Sequence, residues 1–269
     1  MSIRHSLIGL SALVLTASIS ACGSNPTAES TSPGRESPPP ETAAGAQAGA
    51  CPTAPVDVVV SVDQWGDIVS ELGGACATVK TVLASSSVDP HDYEPSPADA
   101  ASFTGAKLIV LNGADYDHWA SDLAATSAPA APVVSAAAVT QTEDGANPHL
   151  WYSPSAVTAV ADAVSAELAK IDPEAAGYFS ERRAAFATTM QPYSTLIEKI
   201  KAGATGKSYA ATESVFDYSA EALGLINKTP QGYQQAAANE SEPAPADIQA
   251  FRKALANKQI DVLIYNTQT

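Results

Sequence analysis

Apolar positions along this chain gather into short runs separated by segments of helical period, an alternation that begins at Val56. Val56–Val62 (VDVVVSV) is β-branched and almost continuously apolar, the pattern of a strand in a parallel sheet covered on both faces. Gln64–Leu72 has helical period and is ended by Gly73-Gly74. Further strands are expected over Thr78–Ala84, Lys107–Asn112 (KLIVLN) and Pro132–Ser135. Helices are expected over Pro97–Phe103, with Ser96 as N-cap and Pro97 in the first turn, and over Asp117–Ala125. A helix over Pro154–Ala169, capped by Ser153, breaks at Asp172-Pro173. A longer helical stretch runs from Glu174 to about Lys201, and Pro192 is expected to interrupt it. A second alternating region follows: strand Ser208–Thr212, helix Ser214–Leu223, strand Leu225–Lys228, helix Ala246–Asn257 and strand Ile260–Tyr265. Strand and helix alternating at this spacing predict an α/β fold with mainly parallel sheets flanked by helices. The last strand leads into Asn266-Thr267-Gln268-Thr269 with no helix after it, so the second region reads as incomplete, a fragment of a longer protein.

Composition adds the setting. Of 269 residues, 45% are apolar and 16% charged, which suits folded cores, and the net charge of −15 repels phosphate backbones and argues against nucleic-acid binding. The first residues read as an export signal: Arg4 and His5, then an apolar run over Leu7–Ile19 too short to span a membrane, then Ile19-Ser20-Ala21-Cys22. That tetrad looks like a lipobox, with cleavage before Cys22 and acylation of its thiol; the alternative is an ordinary secretory signal. Gly23–Pro55 is rich in Ser, Pro, Thr, Ala and Gly and reads as a flexible tether with a reach of roughly 30 Å. The two remaining cysteines, Cys51 and Cys76, would meet an oxidising compartment and form a disulfide worth on the order of 3 kcal/mol, with a cysteine metal site as the competing reading.

Candidate chemistry is concentrated in two Pro-His pairs. His91 lies in Asp89-Pro90-His91-Asp92-Tyr93-Glu94-Pro95-Ser96, after the second strand, and His149 in Asn147-Pro148-His149-Leu150-Trp151, after the fourth. The ends of strands are where open α/β sheets bind ligands, and the preceding prolines stiffen the backbone from which each imidazole hangs. Glu213, in Thr212-Glu213-Ser214-Val215-Phe216-Asp217-Tyr218, ends the first strand of the second region. If the two regions face each other across a cleft, two imidazoles and a carboxylate there suit zinc or manganese; taken singly, each histidine reads equally as a surface or hydrogen-bonded residue and Glu213 as a solvated charge. His118 reads as a rim residue, Trp119 and Trp151 as packing residues, and Asp92 and Glu94 as either acceptors that orient a histidine or solvated loop charges. Gly203-Ala204-Thr205-Gly206-Lys207-Ser208 only mimics a phosphate loop: the first glycine is misplaced, and the order is helix then strand.

These segments resemble the metal-binding family of ABC-transporter solute-binding proteins, the zinc- and manganese-importer group (cluster A-I, zinc-uptake-protein-A-like). That family carries D-P-H-x-Y-E-P-S/T-P, N/D-P-H-x-W and T-H/E-x-x-F-x-Y segments, matched here by residues 89–97, 147–151 and 212–218. Leu111-Asn112-Gly113 after the third strand matches as well. The resemblance implies two lobes joined by a long helix, which, with the signal peptide and lipobox read at 1–22 and the tether at 23–55, gives an N-terminal metal-binding lobe at 56–172, a linker helix at 173–202 and a truncated C-terminal lobe at 203–269. It implies metal ligation by His91, His149 and Glu213, with Zn2+ or Mn2+ as transported ligand and a fourth Asp or Glu ligand falling beyond Thr269. It also implies a monomer, lipid-anchored outside the cytoplasm on the cell surface or in the periplasm, that serves an ABC permease and its ATPase. Glu213 stands where zinc importers often have a third histidine, and the chain has no histidine-rich loop; the carboxylate is closer to manganese-binding relatives. Two other functions remain open at this stage. A zinc hydrolase lacks its HExxH segment and a placed general base. A surface adhesin or structural lipoprotein would not need the Pro-His geometry.

Overall fold

The computed structural model describes residues 49–85, 88–238 and 241–266. The signal-like segment, Cys22, most of the tether and Thr267–Thr269 lie outside the described residues. Among the described residues, no helix is long and apolar enough to cross a membrane.

The first half builds one sheet from β1 (Val56–Val62), β2 (Ala77–Leu83), β3 (Leu108–Leu111) and β4 (Val133–Ser135), all parallel, in the order β2-β1-β3-β4. β1 lies between two neighbours, with Val59 opposite Lys80 on one side and Ile109 on the other. All of its residues but Asp57 are buried, as the unbroken apolar run requires of a strand covered on both faces. β2 is an edge strand, and it exposes Thr78 and Lys80. Helices α1 (Asp63–Gly73), α2 (Pro97–Phe103), α3 (His118–Ser127), α4 (Ala136–Thr140) and α5 (Pro154–Ile171) complete this half. Trp65, Leu72, Phe103, Ile109 and Leu168 fill its core. The Leu111–Gly113 turn requires its glycine: Gly113 has φ +77°, and a Cβ there would lie 2.6 Å from the Ser135 hydroxyl.

α6 (Ala176–Ala204) follows a 3-10 turn at Pro173–Ala175 and extends for ~44 Å. The expected break at Pro192 does not occur. Pro192 and Thr188, whose carbonyl faces the missing N–H, are both exposed, so the lost helical bond falls on the solvent side and not in the core. The second half has β5 (Ser208–Ala211), α7 (Asp217–Ala222), β6 (Ile226–Asn227), α8 (Gln231–Ala238), α9 (Pro245–Ala256) and β7 (Val262–Ile264). Its parallel sheet has the order β6-β5-β7, over a small core of Tyr209, Ala211 and Ala220. α8 was not expected from the sequence: it buries no residue fully, and its inner face is small, Tyr233 packed edge-on against Phe251 with Ala236 and Ala237 half-buried beside it. The helix expected from Ser214 starts only at Asp217, since Ser214 takes part in a contact between the halves.

Order begins earlier than the expected end of the tether. Cys51 and Cys76 form a disulfide with Cα atoms 5.0 Å apart, and Thr53 donates to Asp172, so residues 51–55 are tied to the first half. The bridged pair leaves no thiolate there for a cysteine metal site.

Candidate metal-binding cleft

Strand order reverses between β1 and β3 in the first sheet and between β5 and β7 in the second. Open α/β sheets bind ligands beyond the carboxyl ends of strands at such points. A cleft of about 1100 Å³ lies there, lined by Val62 and Leu83 from the first sheet and by Thr212 and Ile264 from the second. His91, His149 and Glu213 all line it.

Each histidine is held by the residue two places before it. Asp89 Oδ1 accepts from the His91 backbone N–H at 2.9 Å and from its Nδ1 at 3.0 Å. Asn147 Oδ1 accepts from the His149 N–H at 3.1 Å and from its Nδ1 at 2.7 Å. The proline between directs its carbonyl to the core of the first half: Trp119 Nε1 donates to Pro90 at 3.2 Å, and Asn112 Nδ2 to Pro148 at 2.9 Å. Asn112 is held in turn by Trp65 Nε1 at 3.0 Å. One local device, an Asx-Pro-His clip, therefore occurs twice. Sequence reasoning overlooked Asp89 and Asn147 as orienting acceptors and weighed Asp92 and Glu94, which are exposed. The overlooked signal is an Asp or Asn two residues before a backbone N–H, the spacing of an Asx turn.

Tyr116 stands between the two imidazoles, 4.8 Å from the His91 ring and 6.3 Å from that of His149, and Gln64 Nε2 donates to its hydroxyl. Burial, reinforced by the Asp89 charge, pushes the Tyr116 phenol up, so it stays neutral. Trp151 packs 5.3 Å from His149, and His118 is exposed. Burial, then the neighbouring His91, lowers the His149 imidazole to about 4, against smaller opposing effects of Glu213 and Asp89. At neutral pH its unprotonated nitrogen is therefore a donor without proton release. For Asp89, burial raises the carboxyl, but the backbone and ring bonds from His91 outweigh it and hold the carboxyl below the usual range.

Glu213 comes from the other half. It lies two residues past the end of β5, not in the strand as expected, and Asn266, two residues past β7, donates Nδ2 to its Oε2 at 3.0 Å. Among the described residues, no three His, Cys, Asp or Glu side chains are drawn together closely enough to coordinate an ion. The three expected ligands thus share a cleft without forming a closed coordination shell. The halves touch through the His149 loop: Asn147 Nδ2 donates to the Ser214 carbonyl at 2.8 Å, the Tyr218 hydroxyl to the Asn147 carbonyl at 2.7 Å, and Ser219 Oγ to the Tyr152 carbonyl at 2.8 Å.

Two parallel α/β sheets joined by a long helix, with a histidine-lined cleft at their strand ends, define a two-lobed binding-protein architecture. The chain belongs to the family described as zinc-uptake complex component A, periplasmic, whose model matches residues 58–269. It is 22% identical over 175 residues to the manganese-binding lipoprotein MntA of Halalkalibacterium halodurans, covering 62% of this chain and 58% of that protein. It is 22% identical over 203 residues to the high-affinity zinc uptake system protein ZnuA of Bacillus subtilis, covering 68% and 62%. The chain thus spans about three-fifths of the length of these curated relatives. The solved structure of the periplasmic zinc-binding protein TroA of Treponema pallidum shares the fold with a TM-score of 0.64 at 19% identity, over 79% of this chain and 78% of that one.

Proposed function

We propose that this chain captures a divalent transition-metal ion, zinc or manganese, outside the cytoplasm and delivers it to the permease and ATPase of an ABC importer. The cargo ion is held by His91, His149 and Glu213. Support comes from one arrangement: three side chains from loops in the two halves line a single cleft, and both imidazoles are clipped at Nδ1, the arrangement usual for metal-ligating histidines. Two imidazoles and a carboxylate form a borderline-hard set that suits zinc or manganese, and the family to which the chain belongs agrees with that choice. The ligands are not gathered into one shell, so binding draws the lobes or a loop inward, and release reverses that movement. The work is binding and handover, with no covalent step. Cys22 supplies a lipid anchor, and the protein acts as a monomer.

Calorimetric titration of the metal-free protein with zinc, then manganese, tests the reading. One ion is expected per chain, and His91→Ala or His149→Ala should weaken binding about 100-fold or more, roughly 2.8 kcal/mol. Unchanged affinity in both variants would sink the ligand assignment. Zinc that resists displacement by excess manganese identifies a zinc carrier, whereas manganese that holds its place identifies a manganese carrier.

A further inference from the structure

The two Asx-Pro-His clips differ in one atom, and that difference falls where the halves meet. Asp89 offers two oxygens, whereas Asn147 offers one oxygen and one NH2. The orientation of the Asn147 amide is over-determined. The Ser214 carbonyl oxygen, 2.8 Å away, only accepts, so the atom facing it is Nδ2. The other atom is then Oδ1, and it faces the His149 backbone N–H, which only donates. An amide oxygen cannot donate, so the His149 Nδ1 at 2.7 Å from it carries the ring proton. The lone pair is thereby left on Nε2, on the far side of the ring. The Asn147 carbonyl also accepts from Tyr218, so its main chain and side chain both bond to the second lobe. Ser214, which receives the amide, adjoins Glu213.

We propose that Asn147 is a positioning residue with two separable roles: Oδ1 sets the His149 tautomer that presents Nε2 to the metal, and Nδ2 ties that histidine's loop to the segment carrying Glu213. The proposal rests on the transport reading above. An imidazole of the first lobe and a carboxylate of the second are thus referenced to each other through Asn147, whose oxygen at 2.7 Å is the nearer partner of His149 Nδ1; the Ser214 hydroxyl lies 3.4 Å from the same nitrogen. Asp89 does the first task for His91 and lacks the donor for the second. Asp at position 147 would keep the acceptor but set a carboxylate oxygen against the Ser214 carbonyl. Ala would remove both.

The experiment compares the unsubstituted protein with Asn147→Ala and Asn147→Asp, all metal-free. Long-range 1H–15N NMR of the histidine rings reads the tautomer, and hydrogen–deuterium exchange reads the amides of residues 214–219. The expected result is a protonated Nδ1 at His149 in the unsubstituted protein and in Asn147→Asp, lost in Asn147→Ala. Exchange over 214–219 should quicken in both variants, and zinc affinity in Asn147→Ala should fall about 10- to 100-fold, as for other residues that orient metal-ligating histidines. A merely structural role would not move the tautomer, and the near-isosteric Asp variant guards against a general loss of folding. Retention of protonated Nδ1 in Asn147→Ala overturns the first role. Unchanged exchange in both variants overturns the second. Both readouts are taken without metal, so failure of the unsubstituted protein to bind either zinc or manganese overturns the transport reading alone.

Discussion

Asp99 shows how much a single side chain settles locally. Its Oδ2 accepts from the Ser96 N–H and hydroxyl, each at 2.7 Å, and from the Tyr93 hydroxyl at 2.8 Å, while the Ser96 hydroxyl caps the Asp99 N–H. This reciprocal box starts α2 and secures the chain leaving His91. The Ser96 hydroxyl chiefly, against some burial, holds the Asp99 carboxyl below its ordinary 3.8. A carboxyl depressed on folding contributes stability that is complete above the unfolded value and is lost as pH falls through the lower folded value. Asp99→Asn should therefore cost about 1 kcal/mol at neutral pH, a cost that shrinks as pH falls through the lowered folded value, as read by urea melts at neutral and acid pH. Ser96 and Pro97 were legible as cap and first turn because capping is a contact between near neighbours. The Asx-Pro-His clips are equally local, and a reading alert to Asx turns would have found them. The Asn147–Ser214 bond spans 67 residues and leaves no such trace.

At the scale of elements, the strands followed from their apolar runs wherever burial on both faces imposed one, as in β1 and β3. Where burial is slight the pattern fails, as it did for α8. α6 departs in the other direction: a proline inside it predicted a break, and cooperative propagation through an exposed turn overrode that local cost. Pro192→Ala should restore the N–H that the Thr188 carbonyl lacks and raise stability by about 1–3 kcal/mol, measured by thermal unfolding. An unchanged or lower melting temperature would mean that the proline ring makes a contact worth as much as the missing bond.

For the whole molecule, the cleft joins two cores of unequal size, and the second is small. An ion bridging the lobes favours the folded state by mass action. Zinc at about 100 times its Kd should stabilise the protein by about 2.7 kcal/mol, or roughly 5–10 °C in Tm. A chelator should reverse the shift, and His149→Ala should abolish it. A shift that persists in His149→Ala would place the zinc elsewhere.

The sequence by itself determined the class of fold, since alternating β-branched runs and helical periods admit few arrangements other than parallel sheets with helices across them. It also put His91, His149 and Glu213 forward as ligands, because the motifs around them, short enough to be read locally, resemble those of the metal-binding family. Tertiary structure alone decided that Val62, Leu83, Thr212 and Ile264 open onto one cleft, that Tyr116 stands between the two imidazoles, and that Asn266 holds Glu213. Those partners lie far apart along the chain, where pairing depends on strand order and on how the two halves pack. Residue periodicity records how each element faces its core, whereas relations between lobes are set by contacts that impose no period on either strand or helix.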